Sequence, residues 1–261
     1  VCYLITKFDK IDSLKNFVLN YISKESGKSH DLLICFKQLN QDQVNEKKDI
    51  LKNLNYEVYN DNFDYNDYDL GSYKRVAQAY PSRVIFFLNG NSYPNCHNWL
   101  KVIVDNYDSQ SIIGTTASNL SHYSSLKLKK FYKFLSFFFK LNRYKKNFYS
   151  FPNPHIRTTG FLIKSDDFLS FMNEKNLNNK EDAWIIESGK NGLTNYFKSK
   201  GFKIYVVNKD GDKFTEKNWK LSETFNYLNQ EKSLISDNHT RKYLYATKTE
   251  KDNFQKETWG D

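Results

Sequence analysis

Tyr68-Asp69-Leu70-Gly71-Ser72-Tyr73-Lys74 leads toward Arg83-Val84-Ile85-Phe86-Phe87-Leu88, and that apolar run stops abruptly at Asn89-Gly90-Asn91-Ser92-Tyr93-Pro94. Hydrophobic residues without alternation describe a strand buried on both faces, which is the habit of a parallel sheet covered by helices. The small polar residues and proline that follow place a loop at the carboxyl end of that strand, where open α/β sheets keep their ligand crevice.

Working outward, strand-like and helix-like runs alternate through the first hundred residues, the pattern of a mostly parallel sheet flanked by helices. Strands are predicted at Val1–Thr6, Asp31–Phe36, Tyr56–Tyr59 and Val84–Leu88, and helices at Ile11–Ser23, Gln41–Leu54 and Tyr73–Ala79. The polar, acidic stretch Asn60–Asp69 reads as a loop, with the next helix entered at the small pair Gly71-Ser72. Farther on, helices are expected at Trp99–Asp105, Leu126–Tyr144, Asp166–Met172, Glu181–Glu187 and Leu193–Ser199, and strands at Ser111–Gly114, Ile156–Ile163 and Lys203–Val207. Four prolines, ten glycines and no linker-like stretch in 261 residues favour a single domain, with a nucleotide-binding half over about 1–115 and an acceptor-side half over about 116–261.

The net charge of +9 is concentrated. No acidic residue occurs between Asp108 and Asp166, while Lys127, Lys129, Lys130, Lys133, Lys140, Arg143, Lys145, Lys146, Arg157 and Lys164 fall inside that window. Within it, Phe131, Phe134, Leu135 and Phe138 can form one apolar stripe on a basic helix, a composition suited to an anionic membrane face or to the core of the domain. No uncharged apolar run of 18 or more residues is present to cross a bilayer. Cys2, Cys35 and Cys96 are too dispersed for a disulfide framework or a metal site and fit reduced residues of a cytoplasmic protein.

Several short constellations could carry chemistry. Asn89 and Asn91 can hydrogen-bond ribose or sugar hydroxyls, or simply form a turn. Asp69-Leu70-Gly71-Ser72 with Lys74 sets small residues and a cation at a helix start, where backbone amides meet phosphate. The proline-bounded loop Pro152-Asn153-Pro154-His155-Ile156-Arg157-Thr158 presents an imidazole and a guanidinium. Asp182 and Glu187 are candidate general bases on one predicted helix. Asp237-Asn238-His239-Thr240-Arg241 offers either a helix cap or a diphosphate contact.

Taken in order, these motifs, with Glu187-Ser188-Gly189, Leu193-Thr194, Trp219, Ser222-Glu223-Thr224-Phe225 and Trp259-Gly260, resemble bacterial GT-A-like glycosyltransferase domains of the rhamnan-synthesis type, which build cell-surface polysaccharides. The resemblance implies a GT-A-like, Rossmann-like fold with a basic amphipathic helical insertion. It implies a nucleotide-sugar donor bound through Thr6, Asp61, Asp69, Gly71, Ser72, Lys74, Asn89, Asn91, His239 and Arg241. A glycan or lipid-linked acceptor would lie near His155, Arg157, Thr158 and Trp219, with Asp182 or Glu187 as the base of an inverting transfer. Such an enzyme works in the cytoplasm, here with residues 126–146 resting on the inner face of the membrane. In metal-using relatives the loop after the fourth strand carries Asp-x-Asp for Mg²⁺ or Mn²⁺; Asn89 and Asn91 stand in that place, and uncharged amides hold hard cations weakly.

Two other classes compete. A basic single-stranded nucleic-acid-binding module would use Lys127–Lys146 with stacking aromatics, but no nucleic-acid motif accompanies the charge and no nucleic acid is expected as a partner. A domain of the same fold that binds sugar or nucleotide without turnover would keep the pockets and lose the base.

Overall fold

The computed structural model describes residues 1–127 and 134–260. In chain order its elements are β1 Cys2–Thr6, α1 Ile11–Ser23, β2 Leu33–Lys37, α2 Gln41–Leu51, β3 Glu57–Asp61, α3 Tyr68–Ala79, β4 Val84–Leu88, β5 Tyr93–Pro94, α4 Trp99–Asp105, β6 Ser111–Gly114 and β7 Ala117–Ser118. They continue with α5 His122–Lys127, α6 Phe134–Asn147, β8 His155–Ile156, β9 Gly160–Lys164, α7 Ser165–Met172, α8 Lys180–Ser188, α9 Leu193–Ser199, β10 Lys203–Val207, β11 Lys213–Phe214, a 3₁₀ turn Glu216–Ser222, β12 Ile235–Ser236, α10 Asn238–Leu244 and α11 Lys248–Trp259.

The main sheet has the order β11-β10-β6-β9-β4-β1-β2-β3. β1 pairs in parallel with β2 and β4, β2 with β3, and β6 with β10, while β9 runs antiparallel between β4 and β6. The expected α/β class with a mostly parallel, helix-flanked sheet is therefore what the chain adopts.

Alternate residues of the central strands feed two cores. Cys2 and Leu4 of β1 and Ile85 and Phe87 of β4 pack with Leu70, Tyr73 and Val76 of α3 and Phe168 and Phe171 of α7. Tyr3, Ile5, Phe86 and Leu88 point the other way, onto Leu14 and Phe17 of α1 and Trp99, Leu100 and Ile103 of α4. A strand with no polar face can only sit between two such layers.

Several boundaries differ from expectation: β3 runs on to Asp61, into the stretch Asn60–Asp69 expected to be a loop, and α2 ends at Leu51, short of Leu54. Helix α3 begins at Tyr68, so Asp69, Gly71 and Ser72 lie inside it and do not form a loop at its mouth. The predicted strand Ile156–Ile163 is two pieces, β8 and β9, separated by Arg157-Thr158-Thr159. The basic insertion contains α5 and α6, but Phe131, Lys129, Lys130 and Lys133 lie outside the described residues, so a continuous helix over Leu126–Tyr144 is not described there. Leu126, Tyr144 and Phe148 pack against Trp184 and Ile185 of α8, while Phe138 and Phe139 are 43% and 78% exposed.

Candidate functional site

The parallel strands β1, β2, β3 and β4 end in Thr6, Lys37, Asp61 and Leu88 at one edge of the sheet. Because β9 is antiparallel, it starts at that same edge, with Gly160 paired to Leu88. The loop after β4 and the loop before β9 therefore meet, and Ser92 Oγ donates to the Thr159 carbonyl at 3.2 Å.

On the β1 side, Thr6 N and Oγ1 both donate to Asp9 Oδ2, at 2.7 and 2.9 Å. Asn91 Nδ2 donates to Asp9 Oδ1 at 3.0 Å, and Ser13 Oγ donates to Asn91 Oδ1 at 2.9 Å. Gly90 makes this possible, since a Cβ there would stand 2.3 Å from Asp9 Oδ2. Asn89 Oδ1 accepts from Asn91 N and Ser92 Oγ at 3.2 and 2.8 Å. The Asp69 carboxyl is also in this group: burial first, then the charges of Asp9 and Glu187, push it up to about 6, against the help of Lys37 and a hydrogen bond from Asn89.

On the β9 side, Glu187 Oε1 accepts from Thr158 N and Thr158 Oγ1 at 2.8 and 2.9 Å. Burial works to raise this carboxyl, but His155, the Thr158 amide and Arg157 outweigh it and hold Glu187 below the usual glutamate value. His155 is buried, and its Nδ1 donates to the Asn153 carbonyl at 2.8 Å, which leaves Nε2 as the acceptor nitrogen of the neutral ring. Desolvation lowers the His155 pKa, with Glu187 opposing. Arg157 is fixed by Asp237 Oδ2 at 2.7 Å and by the Phe225 ring at 4.0 Å.

A two-residue pairing of β5 with β12 carries α10 onto this edge. Asp237 caps the helix through His239 N and Thr240 N, at 2.7 and 2.8 Å. Arg241 Nη2 donates to the Asn91 carbonyl at 3.0 Å and to Asn238 Oδ1 at 2.7 Å, and its guanidinium lies 4.9 Å from the centre of the Tyr93 ring. Among the described residues no carboxylate forms an ion pair with Arg241. His239 is held below the ordinary imidazole range by desolvation and by the Arg157 charge, with Asp237 and Glu187 opposing.

Thr6, Asp69, Asn89, Asn91, His155, Arg157, Thr158, Glu187, His239 and Arg241 thus gather at one sheet edge. No protein-family model and no curated protein matches the chain. Solved structures with a similar layout include a 4-diphosphocytidyl-2C-methyl-D-erythritol synthase from Anaerococcus prevotii, 12% identical, with a TM-score of 0.45 over 85% of this chain and 93% of that one. Others are a nucleotidyl transferase from Methanothermobacter thermautotrophicus (11% identical, TM-score 0.37, 73% and 78% covered) and the bifunctional glycosyltransferase WbbM (9%, 0.39, 70% and 36%). The chain spans about a third of the WbbM chain, 36%. The site is read from this chain's own residues.

Other residues singled out by the sequence are placed elsewhere. Asp61 accepts from Ser72 Oγ at 2.5 Å and from Arg75 Nε and Nη2 at 2.7 and 2.6 Å, so its carboxylate is bound within the protein. Gly71 has its place because a Cβ would fall 1.9 Å from Asp67 Oδ2, the carboxylate that also holds buried Lys37 and Arg75. Lys74 Nζ donates to the Met172 carbonyl at 3.2 Å, on the α7 side of α3. Asp182 closes the capping box of α8 through Asn178 N, Asn179 N and Asn179 Nδ2. Trp219 is core, 1% exposed, with Nε1 on the Phe214 carbonyl at 3.1 Å.

Asp9 and the Lys37–Asp67–Arg75–Asp61 network were missed. Only the Thr6-x-x-Asp9 spacing after a strand hints at the first; the second depends on pairing across distant elements. As for a divalent cation, the Asn89 and Asn91 amide oxygens both accept hydrogen bonds from protein groups. Among the described residues no three His, Cys, Asp or Glu side chains are grouped to hold one. That donor set does not fit Mg²⁺ or Mn²⁺.

Proposed function

We propose that the chain is a glycosyltransferase domain that moves a sugar, with inversion, from a nucleotide-sugar donor to a glycan or lipid-linked acceptor in cell-surface polysaccharide synthesis. The observation that carries this reading is the gathering, at the carboxyl ends of the parallel strands, of a carboxylate held below its usual value, Glu187, with a cation, Arg241, that no carboxylate of the described residues pairs with. Inverting transfer needs both. A base takes the acceptor proton while positive charge receives the leaving group.

In this reading the acceptor oxygen attacks the anomeric carbon as the carbon–oxygen bond to the diphosphate breaks, and that electron pair departs with the nucleoside diphosphate. Glu187, ionised at neutral pH, accepts the hydroxyl proton. Arg241 and the neutral His239 steady the departing diphosphate, while Thr6, Asp69, Asn89 and Asn91 hold donor hydroxyls. Asp69 gains from a hydroxyl donor, since hydrogen bonding lowers the cost of its ionised form. His155 and Thr158 orient the acceptor beside Glu187. The exposed Phe138 and Phe139 with the surrounding lysines bring the cleft to an anionic membrane surface on the cytoplasmic side. Among the described residues no helix is long and apolar enough to cross a membrane.

The test is a thermal-shift and turnover panel of UDP, GDP, CMP and dTDP sugars, with and without Mn²⁺. One nucleotide class is expected to bind and its sugar to hydrolyse slowly, without a requirement for metal. Glu187→Gln is expected to keep donor binding and to lower transfer by about 10²–10⁴-fold. Binding of no nucleotide or nucleotide sugar would sink the reading, and an unchanged rate in Glu187→Gln would remove Glu187 as base.

A further inference from the structure

Helix α3 turns Asp69 toward the site just described and carries other polar side chains on its opposite face. At 3.6 residues per turn, Asp69, Ser72, Tyr73 and Val76 share one side, while Gly71, Lys74, Arg75 and Gln78 share the opposite one. That second face lines a separate open cavity of about 360 Å³, together with Asp67, Met172 at the end of α7, Lys175 and Asn178 between α7 and α8, and Phe63 and Tyr65 after β3. Its volume is within the usual range for small-ligand sites.

The charges in the cavity do not balance. Arg75 is spoken for, with Asp61 at 2.6 Å, Asp67 at 2.5 Å and the Phe63 ring 4.4 Å beneath its guanidinium. Lys74 and Lys175 have no carboxylate partner among the ion pairs of the described residues; each Nζ gives one hydrogen bond to a backbone carbonyl, Met172 O and Asn191 O, both at 3.2 Å. The Lys74 ammonium therefore keeps two donors, while that of Lys175 also lies 4.9 and 5.8 Å from the centres of the Phe171 and Tyr196 rings. Desolvation pulls the half-buried Lys175 below the ordinary lysine range, although Glu174 opposes it. The same cavity is lined by an aromatic face, Tyr65, 55% exposed with its hydroxyl on the Asn178 carbonyl, and by the exposed Gln78. Aromatic faces take the apolar side of a sugar ring, and amides pair with its hydroxyls.

We propose that this cavity binds a saccharide carrying one anionic group, a carboxylate or a phosphate, with Lys74 and Lys175 on the charge and Tyr65, Gln78 and Asn178 on the ring. The site lies on the far side of α3 from Asp69 and Glu187 and stands independently of the donor reading.

Calorimetric titration of the whole chain, without nucleotide, with glucose 6-phosphate, glucuronic acid, glucose and inorganic phosphate tests it. At least one anionic sugar is expected to bind about tenfold or more tighter than glucose and than inorganic phosphate, and the tighter of the two names the anion. Binding is expected to weaken by about tenfold in Lys74→Met/Lys175→Met and to fall in high salt. Gln78→Glu, an exposed change that adds a repelling charge without touching the core, should weaken it as well and decides the matter if the lysine variant does not fold. Neither anionic sugar outbinding glucose, inorganic phosphate binding as tightly as the sugars, or wild-type affinity in Gln78→Glu each overturns the proposal. Nucleotide binding, measured separately, bears only on the transferase reading.

Discussion

Two carboxylates at the same sheet edge are displaced in opposite directions. Asp237 is drawn from 3.8 down to about 2 because Arg157, the Thr240 amide and His239 outweigh the cost of burying it. Asp69 goes up to about 6 because burial and the neighbouring charges win. A carboxyl depressed in the fold stabilises above its unfolded value and loses that contribution as pH falls through the folded one; a raised carboxyl stabilises below its unfolded value and loses that as pH rises. Asp237 therefore favours the fold at neutral pH, with its share lost between about 4 and about 2. Replacing it as Asp237→Asn leaves the buried Arg157 charge unpaired, at a cost of about 3 kcal/mol near neutral pH. Urea unfolding from neutral to acid pH should show that gap and then show it narrowing as the wild-type carboxylate protonates; a gap independent of pH would mean that shape, not charge, holds the pair.

At the scale of elements, what could be read in the sequence was what depends on local pattern. The run Val84–Leu88 has no polar side, so the burial of Ile85–Leu88 between two cores was legible, with only Val84 at its start exposed, as was the capped helix end at Asp237. The start of α3 was not, because Gly71 and Ser72 look like punctuation; there the glycine makes room for Asp67, a requirement set by Lys37 and Arg75 from other parts of the chain. For the same reason Lys74 was expected beside a phosphate at a helix mouth, and helical rotation turns it instead toward α7. The gathering of Glu187, Thr158 and His155 follows from β9 running backwards, which no run of residues announces. Helix α6 carries its own expectation. Phe139 is 78% exposed, and Lys140, Lys145 and Lys146 follow it in an acid-free stretch of sequence. Co-sedimentation with vesicles containing phosphatidylserine should retain the chain at low salt, and Phe139→Ser with Lys145→Ser and Lys146→Ser should release it by at least several-fold, at about 1 kcal/mol per surface cation. Equal retention by neutral vesicles would set the charge argument aside.

In the whole molecule, the sheet edge is built by segments far apart in sequence, while one long stretch departs from it and comes back to where it left. Ser118 pairs with His155 across β7 and β8, and Asn153 N donates to the Asn119 carbonyl at 2.8 Å. Everything between, including α5, α6 and the basic aromatic segment, is a detour whose two ends already touch. The chain on either side needs nothing from it to close its sheet, and shortening a loop lowers its closure entropy cost. Residues 121–151 should therefore be exchangeable for a brief glycine–serine bridge: the shortened chain is expected to fold with a lowered melting temperature, since Trp184 and Ile185 lose their cover, to keep the proposed nucleotide affinity and to lose the proposed hold on vesicles. The detour then behaves as a cassette, and grafting a different one at Ser118 and His155 is a way to redirect where the proposed transferase works without rebuilding its sheet edge.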